Sequence, residues 1–206
     1  MSRSRRDSGE EWVPRTKLGE LVQQGLITID KIFQNNLVVK ETEIIDQLLP
    51  QLEEDVVTIK MIQQMTASGQ RSRFKSVVVI GSDGYLGFGT ARSKEVGPAI
   101  RKSIEKAKLD VIPILRGCGS PECGCGGIHS IPFKVKGKCG SVRVQLIPAP
   151  AGIGLACADA IKQVFKLAGV KDIWTKTFGN TQTSENLVKA TFNALKNAHR
   201  YSFNTR

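Results

Sequence analysis

Residues Gly69–Glu95, GQRSRFKSVVVIGSDGYLGFGTARSKE, constrain this chain more than any other stretch. Arg71, Arg73 and Lys75 stand at alternate positions, a spacing of two that places side chains on one face of a β-strand. Val77, Val78, Val79 and Ile80 follow, so the far end of the same strand belongs in a core. Gly81, Asp83 and Gly84 signal a turn, and Tyr85-Leu86-Gly87-Phe88-Gly89 reads as the returning strand. The whole describes a small sheet anchored at one end and presenting cations to a polyanion at the other. Alternating cations are costly to bury without partners. The same residues would also suit an exposed edge strand whose charges discourage aggregation.

Charge distribution separates these readings. Residues 1–66 hold 8 Lys/Arg against 11 Asp/Glu, whereas residues 67–206 hold 22 against 8. The surplus behind the net charge of +11 therefore lies in the C-terminal two-thirds, as expected for a domain that meets nucleic acid or an anionic membrane. No apolar run approaches the roughly 20 residues that span a bilayer, so no membrane partner is expected. The opening MSRSRRDSGEEW lacks the apolar core of a signal peptide. It reads either as a flexible arm that touches RNA or as a disordered tail.

Hydrophobic periodicity gives an α+β chain in three parts: an extension over 1–49, an RNA-binding-like domain over 50–110 and an α/β domain over 111–206. Leu18, Leu21 and Val22 mark a short helix ending near Gly25. Thr42 is placed to cap a second, with Ile44, Ile45, Leu48, Leu49 and Leu52 at helical spacing and Pro50 at its end. Strands are predicted at Val56–Met65, Arg73–Ile80 and Tyr85–Ala91. A helix follows over Glu95–Leu109, with Ala99, Ile100, Ile104 and Ala107 as its buried stripe. This α-β-β-β-α order is that of the double-stranded-RNA-binding domain. Such domains clamp phosphates with a lysine cluster at the start of the last helix, but here Glu95 and Gly97 interrupt Arg92 and Lys94. RNA contact is therefore expected chiefly through a loop at Ala67–Ser72, which includes Gln70, and through the strand cations, aided by Arg92 and Lys94. In the third part, Val111–Leu115 is predicted as a strand. Ile131–Lys136 and Ser141–Ile147 form a hairpin around Gly137-Lys138-Cys139-Gly140. A helix covers Gly152–Leu167, a strand Val170–Phe178 and a last helix Ser184–Ala198. Lys134, Lys136 and Lys138 alternate on one arm of the hairpin with Arg143 on the other, a second basic ribbon or an ordinary solvated face. Arg116 and Lys176 complete the candidate RNA contacts.

Five cysteines without a secretory signal point to reduced thiols in the cytosol. Three of them, Cys118, Cys123 and Cys125, cluster with His129 inside RGCGSPECGCGGIHS. Three thiolates and an imidazole make a competent tetrahedral zinc set, with Cys139 as an alternative fourth ligand. A metal would also offset the ordering entropy of so glycine-rich a loop. The other reading is four unligated residues in a loop packed on RNA. Gly152 and Gly154, with Asp172 twenty positions after Gly152, partly imitate a dinucleotide-binding fingerprint, yet Pro148 and Pro150 intervene and Cys157 replaces the third glycine. The gentler reading of those glycines is a close-packed helix start whose free N–H groups meet an RNA phosphate. The run Glu53-Glu54-Asp55 reads as a solvated turn, and phosphate-loop, HExxH and GxSxG patterns are absent. A binding role is favoured over catalysis.

Three segments also carry a resemblance: GQRSRFK…VVVIG…GYLGFGTARSKEV, EWVPRTKLGELV at Glu11–Val22, and CGSVRVQLIPAPAGIGL at Cys139–Leu155. In the same order, they are similar to the universal ribosomal protein S-five family of the small subunit, in its archaeal and eukaryotic branch. Ser76 departs from that pattern, which has a small apolar residue there. The resemblance implies a double-stranded-RNA-binding-like domain followed by an α/β domain with helices on one face of a sheet. It implies a cytoplasmic, ribosome-bound protein that contacts small-subunit rRNA and ribosomal protein S-four, lies near S-three and S-eight, and requires no cofactor. It further implies a place near the decoding region and the mRNA entry path, restraint of the head relative to the body, and a contribution to translational accuracy. A free-standing regulator that binds duplex RNA is the alternative.

Overall fold

The computed structural model describes residues 12–203. The chain forms two compact units, divided after Pro50. In the first, α1 (Lys17–Gln23), α2 (Ile29–Gln34) and α3 (Thr42–Leu48) gather Val22, Ile32 and Ile44 into a small core, flanked by Trp12, Leu18 and Val39. Thr16 caps α1 by accepting the Gly19 N–H at 3.2 Å. Thr42 is not a cap: it is the first residue of α3, after Glu41, whose carboxylate accepts the Arg15 N–H at 3.1 Å. Helix α2 was not expected. Six residues with one buried apolar side chain, Ile32, are too few to show a period.

The second unit begins with β1 (Glu53–Thr66), β2 (Gly69–Ser82) and β3 (Tyr85–Ser93), an antiparallel meander followed by α4 (Val96–Leu109). The expected α-β-β-β-α order is present. The carboxylates Glu53 and Glu54 do not form a turn; they open β1 opposite Gly81 and Ile80. Strand β4 (Val111–Pro113), expected to start the third part, instead pairs with Tyr85–Gly87 and makes the first sheet four-stranded. Helix α4 buries Ala99, Ser103 and Ala107, while Ile100 and Ile104 are only half-buried. Ser103 explains the unusual Ser76. The two hydroxyls lie 2.8 Å apart, fully buried, and both reach the Ala99 carbonyl. A hydroxyl is accommodated because the helix offers it partners.

The second sheet has the order β5-β6-β8-β7, from β5 (Val135–Cys139), β6 (Val142–Pro148), β7 (Leu155–Ala156) and β8 (Ile173–Phe178); β7 alone runs parallel to its neighbour. Val142, Val144 and Leu146 face the helices α5 (Asp159–Leu167) and α6 (Ser184–Phe203), which supply Ile161, Val164, Phe165, Phe192 and Leu195 to the core. The β5–β6 turn lies at Gly140-Ser141, two residues later than expected. Gly137 belongs to β5 because α6 packs directly on it: a Cβ there would stand 2.1 Å from the Ala190 carbonyl oxygen. Helix α5 starts at Asp159, not at Gly152. Gly152 and Gly154 have φ of +92° and +75°, which an α-helix does not tolerate. Their segment turns into the edge strand β7. Val77, Val79, Leu86 and Phe88 of the first sheet share one core with these helices, and the Phe88 and Phe192 rings lie 5.7 Å apart.

Candidate nucleic-acid interface and metal centre

Strand register builds the first basic surface. Lys60 pairs with Lys75, Ile62 with Arg73, Gln64 with Arg71, and Lys75 in turn with Arg92. Directly paired residues share a face, so Lys60, Arg71, Arg73, Lys75 and Arg92 form one cationic side of the hairpin. Over the same outer span, the opposite side carries Ile59, Met61, Met65, Gln70 and Phe74 and no charge. Gln70 thus faces away from the arginines. The expected loop at Ala67–Ser72 shrinks to a turn at Ala67-Ser68, and the strands run nearly to the tip. Lys60, Arg71, Arg73 and Arg92 are exposed; Lys75 is half-buried and ion-paired with Glu185 at the start of α6. Arg73 and Arg92 also converge with Lys94 and Lys102 on a cleft of about 410 Å³, together with Ser93, Glu95 and Pro98. Lys60 was missed from sequence, and only the register reveals it. Lys102 reads from sequence as part of the wet face of α4, and only the docking of that helix brings it beside Arg73 and Arg92.

The second basic surface is the open face of the second sheet. Two rungs cross it, Lys138–Arg143–Phe178 and Lys136–Gln145–Lys176. Lys136, Lys138, Arg143 and Phe178 border a groove of about 600 Å³, and the Phe178 side chain is half exposed. Lys134 is exposed just before β5. Arg116 stands apart from both surfaces. Its guanidinium pairs with Asp83 in the β2–β3 turn and donates to the Gly169 carbonyl at 3.3 Å, so it ties loops together. The Ser/Arg arm before Trp12 lies outside the described residues.

The four predicted metal ligands converge. The Sγ atoms of Cys118, Cys123 and Cys125 and a ring nitrogen of His129 lie within 4.8 Å of one another. Cys123 Sγ is 3.1 Å from Cys125 Sγ and 3.7 Å from His129 Nε2; Cys125 Sγ is 3.6 Å from Cys118 Sγ. A tetrahedron with metal–sulfur bonds of about 2.3 Å has edges of about 3.8 Å, so these separations fit one zinc ion. His129 Nδ1 lies 2.9 Å from Asp172 Oδ2, which leaves Nε2 aimed at the sulfurs. The Cys123 thiol is pulled down to about 6, first by its hydrogen bond with Cys125 and then by the Ala151 N–H. Cys118 is pushed up, first by desolvation. Cys139 is not a ligand: it sits at the end of β5, 3.8 Å from Asn186 Oδ1.

Asp172 also disposes of the dinucleotide reading. Its Oδ1 accepts the N–H groups of Gly152 and Gly154 at 3.1 and 2.8 Å. Those donors are satisfied within the chain and do not open a helix, so neither a cofactor nor an RNA phosphate meets a helix start there.

Two family models match the chain: "Ribosomal protein S5, N-terminal domain" over residues 52–115 and "Ribosomal protein S5, C-terminal domain" over residues 137–204. The protein named small ribosomal subunit protein uS5 of Methanocaldococcus jannaschii is 54% identical over 189 residues, covering 91% of this chain and 87% of its own. Its namesake in Methanothrix thermoacetophila is 52% identical over 190 residues, covering 91% and 94%. That of Thermofilum pendens is 48% identical over 193 residues, covering 93% and 96%.

Proposed function

The chain belongs to the ribosomal protein S5 family, and on that premise we propose that it is a non-enzymatic building block of the small ribosomal subunit that grips rRNA with two basic β-surfaces. The observation that carries this reading is the one-sided hairpin. Four exposed cations share a face that continues into the cleft of Lys94 and Lys102, while the reverse face of the outer hairpin is uncharged. Such a ribbon suits phosphate neutralisation and recognition by shape, not base-edge readout. Arg71, Arg73 and Arg92 contact phosphates of rRNA or of mRNA near its entry path. Lys134, Lys138, Arg143 and Lys176 contact a second rRNA segment. Pinning two segments restrains the head relative to the body near the decoding region. Contact with ribosomal protein S-four links the protein to translational accuracy, and S-three and S-eight are further neighbours.

In this reading Cys118, Cys123, Cys125 and His129 hold one structural zinc, and the protein needs no other cofactor. Elemental analysis of the purified chain checks the metal. One zinc per chain is expected, lost in a Cys123→Ser/Cys125→Ser variant; its absence from the unaltered chain refutes the site. The ribosomal role is tested by sucrose-gradient sedimentation of a cell lysate at low and moderately high salt. Near-stoichiometric migration with small subunits at both salts is expected. Recovery only from the soluble top fractions would overturn the reading in favour of a free duplex-RNA regulator.

A further inference from the structure

Between Leu115 and Ile131 every buried residue is polar: Ser120, His129 and Ser130. Hydrophobic burial therefore does not hold this loop in place. Its base is closed by the bridge between Gly117 and Ser130, with N–H···O distances of 2.8 and 3.0 Å. Beyond that bridge the three thiols and the His129 ring converge.

The loop is also bonded to a second one, Pro148–Leu155. The Ala149 N–H donates to the buried Ser130 hydroxyl at 3.3 Å. Asp172 makes the second link. One of its oxygens faces His129 Nδ1 and the other accepts Gly152 and Gly154. Backbone N–H groups of Lys171 and Asp172 donate to the His129 carbonyl at 2.9 and 3.0 Å, holding ligand and carboxylate in one frame.

We propose that Asp172 is the outer carboxylate of the metal centre and that it makes the Gly152–Gly154 turn part of that centre, so that metal occupancy sets the order of both loops. This rests on the zinc reading above. A ligating histidine needs its second nitrogen anchored, and a buried carboxylate on that nitrogen fixes both tautomer and ring plane. Asp172 is 5% exposed and serves three donors at once. When the metal leaves, the imidazole is free to turn and the carboxylate with it. The two glycine N–H groups then lose the acceptor that holds their left-handed backbone. Asp172 acts here as a positioning residue, not as a ligand.

The test is amide hydrogen exchange of the full chain, zinc-loaded and after chelation, with zinc content measured on the same samples. Removing one equivalent of zinc should speed exchange at Gly152 and Gly154 by about tenfold or more, alongside the 117–130 loop, while the Val144 and Leu146 amides stay protected. Asp172→Asn keeps an oxygen for the glycines but replaces the acceptor for His129. It should bind zinc about 10–100-fold more weakly, and chelation should no longer change exchange at the glycines. Stoichiometric zinc whose removal leaves Gly152 and Gly154 unchanged would overturn the linkage and leave the metal site standing. A chain that binds no zinc would overturn both.

Discussion

Removing Arg71 and Arg73 together should change the salt dependence of RNA binding, whereas removing Lys75 should not. All three alternate along β2, but their surroundings differ. Arg71 and Arg73 are exposed, whereas Lys75 already faces the Glu185 carboxylate. A cation that releases a counterion from RNA contributes about 0.7–0.9 to the slope of log K against log salt. Arg71→Ala/Arg73→Ala should therefore flatten the slope by about 1.4–1.8. Between 50 and 200 mM salt, the affinity gap between parent and variant should then narrow by about tenfold. Lys75→Ala should leave the slope nearly unchanged and act on stability, because Glu185 loses its partner in a half-buried setting. Fluorescence anisotropy of a labelled small-subunit rRNA fragment, titrated at four salt concentrations, reads both slopes. Equal slopes for parent and Arg71→Ala/Arg73→Ala would remove the hairpin face from the interface. A slope change in Lys75→Ala as large as that of either arginine would refute the claim that Glu185 neutralises it.

Three further outcomes follow from the packing and the thiols. Gly137→Ala should cost about 3 kcal/mol by denaturant titration, at the upper end for overpacking, because the obstructing atoms are the α6 backbone; a loss below about 0.5 kcal/mol would contradict that packing. Ser76→Ala should cost only about 1 kcal/mol, because Ser103 keeps the Ala99 and Ile100 carbonyls, and the Ser76→Ala/Ser103→Ala pair should cost less than the sum of the single changes in a double-mutant cycle. In the metal-free chain, Cys123 should be the thiol most readily alkylated by iodoacetamide at pH 7, as mass spectrometry reports, with its rate halving near pH 6. The sign follows from its lowered value: folding favours the thiolate above the ordinary thiol pKa, and that preference is lost as pH falls through about 6. Denaturation should remove the difference from Cys118, which the fold pushes the other way.

Local signals in the sequence carried the elements whose cause is local. Alternation over Arg71–Lys75 and the apolar run behind it give β2, and the turn at Asp83-Gly84 is where its residues place it. The convergence of the candidate metal ligands was readable because three cysteines and a histidine fall within twelve residues. What local reading misplaced was decided by distant partners. GIGL at 152–155 looks like a helix opening until Asp172 takes its N–H groups and draws it along β8 as an edge strand. Lys60 lies in an unremarkable run, and only its register opposite Lys75 joins it to the cationic face. Arg116 resembles any loop cation until Asp83 and Gly169 claim it. Val111–Pro113 is a strand in either reading, but its partner is β3 and not the second sheet. Three residues hold too little pattern to name a partner.

One face of β2 joins these observations. Along it, Arg71 and Arg73 stand in solvent, Lys75 meets Glu185, and Val77 and Val79 enter the core shared with α5 and α6. A single strand of 14 residues, about 45 Å long, thus passes from solvent through an ion pair into apolar packing without changing its alternation. The other face of its buried half, Ser76, Val78 and Ile80, is sealed by α4. Where the core ends, the ladder to β1 continues, and the Thr66 hydroxyl donates to the Gly69 carbonyl at 2.7 Å, so the tip is held by hydrogen bonds without apolar packing and its side chains remain available on both faces. Placing cations on such a ribbon fixes their spacing at the strand period without burying any of them, and so avoids the desolvation that makes interior charges costly. The ion pair marks the boundary. Outside it, positive charge has no partner within the hairpin's cationic face; inside it, the first charge that packing would begin to bury already has one.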